Sequence, residues 1–198
     1  MRITAFAVAL ATFAAPAAAQ IPVNAISQYL NSFSSAAAEF TQVNSDGSIS
    51  TGDLALRRPG RARFDYDAPD NGLVIAGGGQ VAVFDPVSNT PPEQYPLSQT
   101  PLNLILAEEV RLNGSNMLVG HGGDANQTTV TLQDPQNPDR GTIQLVFTPD
   151  PVTLRQWVIT DEGGQQTTVI LGDMRTDVNL GGGLFNIPQE MRTRGLSE

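Results

Sequence analysis

From Glu39 onward the chain reads in short runs of alternating apolar and polar residues, broken at close intervals by glycine, asparagine, aspartate and proline. That period of two is the signature of strands with one buried face. The first runs are Glu39-Phe40-Thr41-Gln42-Val43 and, beyond an Asp46-Gly47 turn, residues 49–57. Further candidate strands cover 62–66, 73–76, 80–85, 110–113, 117–120, 128–133, 142–148, 154–160 and 167–171. Turn signals at Gly77-Gly78-Gly79, Asn113-Gly114, Asp139-Arg140-Gly141 and Glu162-Gly163-Gly164 separate them. Many short strands joined by local turns predict a mainly β chain with one large antiparallel sheet, sandwiched or curled into a barrel.

Two helices interrupt this pattern. Ile26, Leu30, Phe33 and Ala37 recur at spacings of four, three and four, which predicts an amphipathic helix over 23–38. Its serine-rich middle lowers helix propensity, so it depends on docking against an apolar surface. Between Pro86 and Glu109, Pro91, Pro92 and Pro96 rule out central strands, and the interval is long for a loop in a compact domain. Within it Thr100-Pro101 reads as an N-cap followed by proline at the first helical position. Leu102, Ile105 and Leu106 supply a short apolar face ending near Ala107.

The N-terminus places the chain in a compartment. Arg2, an apolar run over 3–15 and the small-residue stretch Pro16-Ala17-Ala18-Ala19 predict a secretory signal peptide over 1–19, leaving Gln20 as the new N-terminus. The apolar run is short of the roughly 20 residues that span a bilayer. An uncleaved N-terminal anchor is the alternative. Residues 20–198 suit a single domain. No cysteine is present, so neither disulfides nor a lipid-bearing cysteine is expected.

Residue inventory removes most chemistry. The net charge is −9 and all 11 basic residues are arginine, which argues against nucleic-acid binding and against lingering on anionic membranes. Without lysine there is no Walker A loop. His121 is the one histidine, too few for a transition-metal site, and it reads as a surface-turn residue because no G-x-S-x-G elbow accompanies it. Asp65 with Asp67 and Asp161 with Glu162 are carboxylate pairs, but both read as solvated strand-edge or turn residues. Residues 134–141 lack EF-hand spacing. The expectation is no enzyme and no cofactor.

The most informative stretch is Leu54-Ala55-Leu56-Arg57-Arg58-Pro59-Gly60-Arg61-Ala62-Arg63-Phe64-Asp65-Tyr66. Continued alternation puts Leu54, Leu56 and Arg58 on one face, where a buried arginine must find acceptors. Alternatively the strand ends at Arg57 and Arg58 lies in the Pro59-Gly60 turn. This stretch, with Phe40-Thr41-Gln42 before it and Pro69, Val83-Phe84-Asp85, Thr100-Pro101-Leu102, Leu154-Arg155-Gln156-Trp157-Val158-Ile159-Thr160-Asp161 and Phe185-Asn186-Ile187-Pro188 after it, resembles the periplasmic outer-membrane lipoprotein carriers, the LolA family.

The resemblance implies an incomplete antiparallel β-barrel, a strongly curved sheet whose helices form a lid over an apolar cavity. It further implies a monomeric periplasmic carrier that shields the acyl chains of lipoproteins. These would come from an ABC-type release complex in the inner membrane and go to an outer-membrane acceptor. Arg58 matches the position of an inward-facing lid latch, with a shift by one residue to Arg57 left open. Leu30, Phe33, Leu54, Leu56, Phe64, Leu102, Ile105, Leu106 and Trp157 are the candidate cavity or lid residues, with an ordinary packed core as the alternative for each. A carrier of another amphiphile, such as a glycolipid, and a lipoprotein-sensing regulatory protein are the competing functions; the chain looks short for a sensor with a second domain.

Overall fold

The computed structural model describes residues 20–196, so the signal-peptide reading of 1–19 lies outside the described residues. Within the described residues helix α1 (Val23–Asn31) comes first, followed by strands β1 (Ser35–Val43), β2 (Ile49–Arg57), β3 (Arg61–Tyr66), β4 (Leu73–Gly77), β5 (Gln80–Phe84) and β6 (Glu93–Pro96). After two single 3-10 turns at Leu97–Gln99 and Pro101–Leu104 come β7 (Leu118–Gly123), β8 (Thr128–Gln133), β9 (Thr142–Thr148), β10 (Thr153–Thr160), β11 (Gln166–Leu171), β12 (Arg175–Thr176) and helix α2 (Ile187–Thr193).

All the strands join one antiparallel sheet in the order β6-β5-β4-β3-β2-β1-β11-β10-β9-β8-β7, with β12 extending the pairing of β1 beyond β11. The ends β6 and β7 do not pair, so the sheet is open. It is nonetheless strongly curled. Phe64 on β3 and Trp157 on β10 stand four strands apart, roughly 19 Å on a flat sheet, yet their rings meet edge to face at 6.3 Å. This settles the choice between sandwich and barrel in favour of an unclosed barrel.

The alternation read from sequence maps onto the concave face. Leu54, Leu56, Ala62, Phe64, Val130, Leu132, Ile143, Leu145, Phe147, Trp157, Val169 and Leu171 are buried there in one continuous core. Gly52 occupies an inward position where a Cβ would stand 2.0 Å from the Asp65 carbonyl oxygen, so only glycine permits this approach of β2 to β3.

The first helix is shorter than its periodicity suggests. It ends at Asn31, where the Ser32 hydroxyl turns back to the Tyr29 carbonyl (2.8 Å). Ser35 already begins β1, so Ala37 belongs to a strand rather than to the helix face. Sheet pairing overrides alanine's helix propensity here: Ala36 and Ala38 face inward opposite Leu56 and Leu54. The predicted helix after Thr100 is likewise reduced to 3-10 turns, and the Thr100 hydroxyl bonds back to Leu97 O rather than capping forward. Residues 110–113 join no strand, and Asn113 already enters a turn. Pro96 sits at the end of an edge strand, as proline requires, and His121 stands exposed on edge strand β7 rather than in a turn.

Strands β4 and β5 are buried on both faces. Val74, Ala76 and Val81 look inward, while Leu73, Ile75, Ala82 and Phe84 form a second, outer core under Ile187 and Met191 of α2. Gly77 lets the chain approach, since a Cβ would lie 2.1 Å from Phe185 O. Asn186 caps α2 by accepting from Gln189 N (2.9 Å). Arg63, on the convex side of β3, fastens the helix by bonding Asp65 (2.7 Å) and Glu190 (3.0 Å).

Glu190 also receives Arg194 (2.8 Å). Burial pulls the Glu190 carboxyl upward, but its hydrogen bonds from Arg194 and Arg63 outweigh that and hold it below the usual carboxylate range. A depressed carboxyl stabilises the fold above its unfolded value and loses that contribution as pH falls through the folded one, here below the ordinary glutamate range. Glu190→Gln is therefore expected to lower Tm by about 2 °C at neutral pH, and the gap should close on acidification. Thermal unfolding of both proteins between neutral and acidic pH measures this; a gap constant across pH would refute it.

Candidate functional site: a covered cavity in the curled sheet

Helix α1 and the strap formed by residues 97–113 cover the concave face. Ile26 and Leu30 of α1 are fully buried, each contributing about 1.5–3 kcal/mol of apolar burial. Tyr29 meets Phe33 and Phe147 edge to face. The strap is joined to α1 through side chains. Asn31 Nδ2 donates to Val110 O (2.9 Å) while its Oδ1 accepts from Val110 N (2.9 Å), and Ser27 Oγ accepts from Leu112 N (3.3 Å). Residues 110–112 thus have the inward alternation of a strand, with Val110 and Leu112 buried, but their backbone groups go to a helix.

Arg58 is buried at 9% exposure and continues the inward face of Leu54 and Leu56. Its guanidinium donates through Nη1 to the carbonyl of Leu30, through Nε to Ile105 O (3.0 Å), and at the limit of hydrogen bonding to Phe33 O (3.5 Å). It also lies over the Phe33 ring, 5.1 Å from the centroid. Leu30 is in the last turn of α1, whose carbonyls lack helical partners and carry the negative end of the dipole. One planar fork thereby reaches both covering segments. No carboxylate pairs with it among the described residues. Burial pulls the guanidinium down from its ordinary value and the Tyr29 phenol partly offsets this; it stays protonated. The backbone reinforces the junction: Arg58 N donates to Ser34 O and Gly60 N to Leu106 O, both 2.8 Å. Arg57 points the other way and bonds Leu180 O (2.9 Å).

Beside this junction the sheet and strap line a cavity of about 750 Å3 that is open to solvent. Its wall is apolar where Phe64, Val74, Val81, Leu102, Trp157, Ile159 and Val169 line it. The rim is polar, with Gln99 and Thr100 of the strap facing Arg140, Asp161 and Glu162. Tyr66 donates its hydroxyl to Gln42 Oε1 (2.9 Å), and burial raises its phenol, so it adds no charge to the wall. Phe64, Leu102 and Trp157 are the candidate residues that meet this space. Leu30, Phe33, Ile105 and Leu106 belong to the cover, and Leu54 and Leu56 lie in packed core beneath it. Asn31 and Arg140 carry no sequence signal that marks them: one is a single polar residue in a helix, the other a turn residue.

The carboxylate pairs have structural roles. Asp65 holds Arg63, Asp67 accepts from the Thr51 hydroxyl (2.7 Å), and Asp161 accepts the backbone N–H groups of Gly163 and Gln165 (both 2.9 Å). Among the described residues no cluster of His, Cys, Asp or Glu fits a metal ion, and no helix is long and apolar enough to cross a membrane.

Residues 31–188 match the family described as outer membrane lipoprotein carrier protein LolA. The outer-membrane lipoprotein carrier protein of Coxiella burnetii (strain RSA 331 / Henzerling II) is 32% identical over 127 residues, which is 61% of this chain; the chain spans 54% of that relative's length. The outer-membrane lipoprotein carrier protein of Pseudomonas aeruginosa (strain UCBPP-PA14) is 30% identical over 185 residues, covering 87% of this chain and 86% of the relative. Among solved structures, a LolA superfamily protein from Nitrosomonas europaea superposes with a TM-score of 0.45 at 11% identity, over 84% of this chain and 98% of that one.

Proposed function

The chain belongs to the LolA family of outer-membrane lipoprotein carrier proteins, and from that membership we propose that it is a periplasmic carrier that shields the acyl chains of lipoproteins and delivers them to the outer membrane. The observation that carries the reading is the partly covered, apolar-walled cavity inside an unclosed sheet, with its cover pinned by one buried arginine. Transferring an acyl chain out of water gains about 0.8 kcal/mol per CH2, so a multiply acylated protein does not leave a membrane unaided. A carrier supplies an alternative apolar surface once an energised ABC-type complex in the inner membrane has extracted the cargo.

Release sets the opposite demand. A cover held by hydrogen bonds worth about 0.5–3 kcal/mol each closes over an empty cavity yet yields to a cargo. Arg58 is the latch in this scheme, because a single side chain holds α1 and the strap together and its loss frees both. Acyl tails lie along Trp157 and Phe64, with the polar end of the cargo at the rim formed by Arg140, Asp161 and Glu162. The role is carriage rather than catalysis; the protein acts as a monomer, is exported by its signal peptide and hands cargo to an outer-membrane acceptor.

The test is to incubate the purified mature protein with spheroplasts that retain newly made lipoproteins and to analyse the supernatant by native mass spectrometry. A soluble one-to-one complex with a lipoprotein is the expected product. Release of a lipid without protein would identify a carrier of another amphiphile, and no release would overturn the reading.

A further inference from the structure

The strap crosses the open side of the sheet, and its two ends are anchored in different ways. On one side Arg58 Nε bonds Ile105 O and Gly60 N bonds Leu106 O in a buried setting. On the other, Leu97 N bonds Gly79 O (2.9 Å) from the β4–β5 turn, and Arg140 Nη1 reaches across from the β8–β9 connection to Ser98 O (2.8 Å). Arg140 therefore ties the strap to the half of the sheet opposite β5, bridging the two arms of a barrel that hydrogen bonds do not close. It stands on the cavity rim beside Gln99 and Thr100.

The two arginine contacts differ in what it costs to break them. Arg58 is buried, so separating it from its carbonyls strands a charge away from water. The Arg140 side chain is one-third exposed, so water can replace Ser98 O. Its Nη1 also lies 3.6 Å from Asp134 Oδ2, a partner on its own connection that stays with it when the strap leaves. The connection is rigid: Asn137 Nδ2 bonds Asp134 (2.9 Å), Gln133 Nε2 bonds Pro138 O (3.2 Å), and Gly141 adopts a left-handed φ of 95° in a place with no room for a Cβ. A fixed, already satisfied donor facing a movable carbonyl has the properties of a clasp.

We propose that the contact of Arg140 with the Ser98 carbonyl is the releasable clasp of the cavity mouth and the Arg58 junction its hinge, so that a single acyl chain enters and leaves on the Arg140 side without the buried latch breaking. The inference rests on the carrier reading and adds a gating residue to it. Arg140 positions the strap and is required neither for the fold nor for the apolar wall.

The experiment follows exchange of dansylundecanoic acid with the purified mature protein by stopped-flow fluorescence, using energy transfer from Trp157, the single tryptophan and a cavity residue. Arg140→Gln should speed both entry and exit about five- to tenfold, whereas the loss of a mere rim contact with the probe's carboxylate would speed exit alone, raise Kd and overturn the clasp. Tm should stay within about 2 °C of wild type, and Arg140→Lys should recover part of the slow exchange. Because the chain has no cysteine, Ser98→Cys with Arg140→Cys can be joined by a short bismaleimide, which should slow exchange more than about tenfold relative to the unjoined double variant. Wild-type exit rates in Arg140→Gln, or undiminished exchange across the joined strap, overturn the clasp while leaving the carrier reading intact. Failure of the wild-type protein to bind the probe at all overturns the carrier reading and the clasp with it.

Discussion

Arg58→Leu should yield a protein that folds, melts lower, and keeps cargo that the wild type would hand on. The guanidinium satisfies the carbonyls of Leu30 and Ile105, which belong to the two segments of the cover. Leucine removes the donors and leaves those acceptors buried without partners, while sparing the cost of a buried charge. The net loss for the empty, closed protein is about 2 kcal/mol, or about 4–8 °C in Tm for a chain of this size. A large cargo has to part α1 from the strap, so the loaded protein has already given up these bonds and loses little by the substitution. Raising the free energy of the empty state alone shifts the balance toward the loaded state by the same amount, about 30-fold in apparent affinity. The complex should therefore form in spheroplast supernatants at least as well as with wild type, and its transfer to outer membranes should fail. Arg58→Lys tests the geometry: a point charge without the fork cannot span both covering segments, so it should fall between the two. Wild-type melting together with wild-type transfer would remove Arg58 from the role of latch.

The same residue shows how far sequence alone reaches. The order Leu54, Leu56, Arg58 is readable as one face because each strand buries a single side, and side-chain direction follows from parity. What the alternation cannot supply is the identity of the acceptors, which come from Leu30 and Ile105, distant in sequence and carried by backbone. Parity also explains one misreading and one omission. Val110 and Leu112 alternate as in a strand because one face of the segment is buried, yet its hydrogen bonds go to Asn31 and Ser27, which no pattern of hydrophobicity encodes. Leu73-Val74-Ile75-Ala76 does not alternate, and an unbroken apolar run is the mark of a strand covered on both faces. The outer cover is α2, whose Asn186 cap, Pro188 and the four-residue spacing of Ile187 and Met191 are a helix signal that is clear once that second face is known to need burying. The end of α1 is missed for a different reason: propensity favours helix through the alanines, and pairing with β2 decides against it.

Asn31→Asp should be the most damaging near-isosteric change in the cover. In the native protein the carboxamide acts as a surrogate strand partner, donating to Val110 O and accepting from Val110 N, with a second donated bond to Ser27 O within α1. An ionised carboxylate keeps the acceptor but turns both donated bonds into contacts between an anion and carbonyl oxygens. Val110 is fully buried, so its carbonyl has no access to water as a substitute. The expected loss is about 2–4 kcal/mol at neutral pH, or about 4–16 °C in Tm. The pH dependence fixes the cause. Carbonyl oxygens facing the introduced carboxyl raise its folded pKa above the unfolded value of about 4. Raising the folded value means that the penalty is complete above that pKa and is relieved as pH falls through it, because a protonated carboxyl regains one donor. The variant should thus recover part of its Tm between neutral pH and about pH 5, the opposite of the loss expected at Glu190. Asn31→Ala leaves Val110 equally unpartnered but has nothing to titrate, so its deficit should be constant over the same range. Hydrogen exchange at the Val110 amide, protected in wild type and fast in both variants, would place the damage at the junction between α1 and the strap. A slow Val110 amide in either variant would show that the backbone there is held by something other than Asn31.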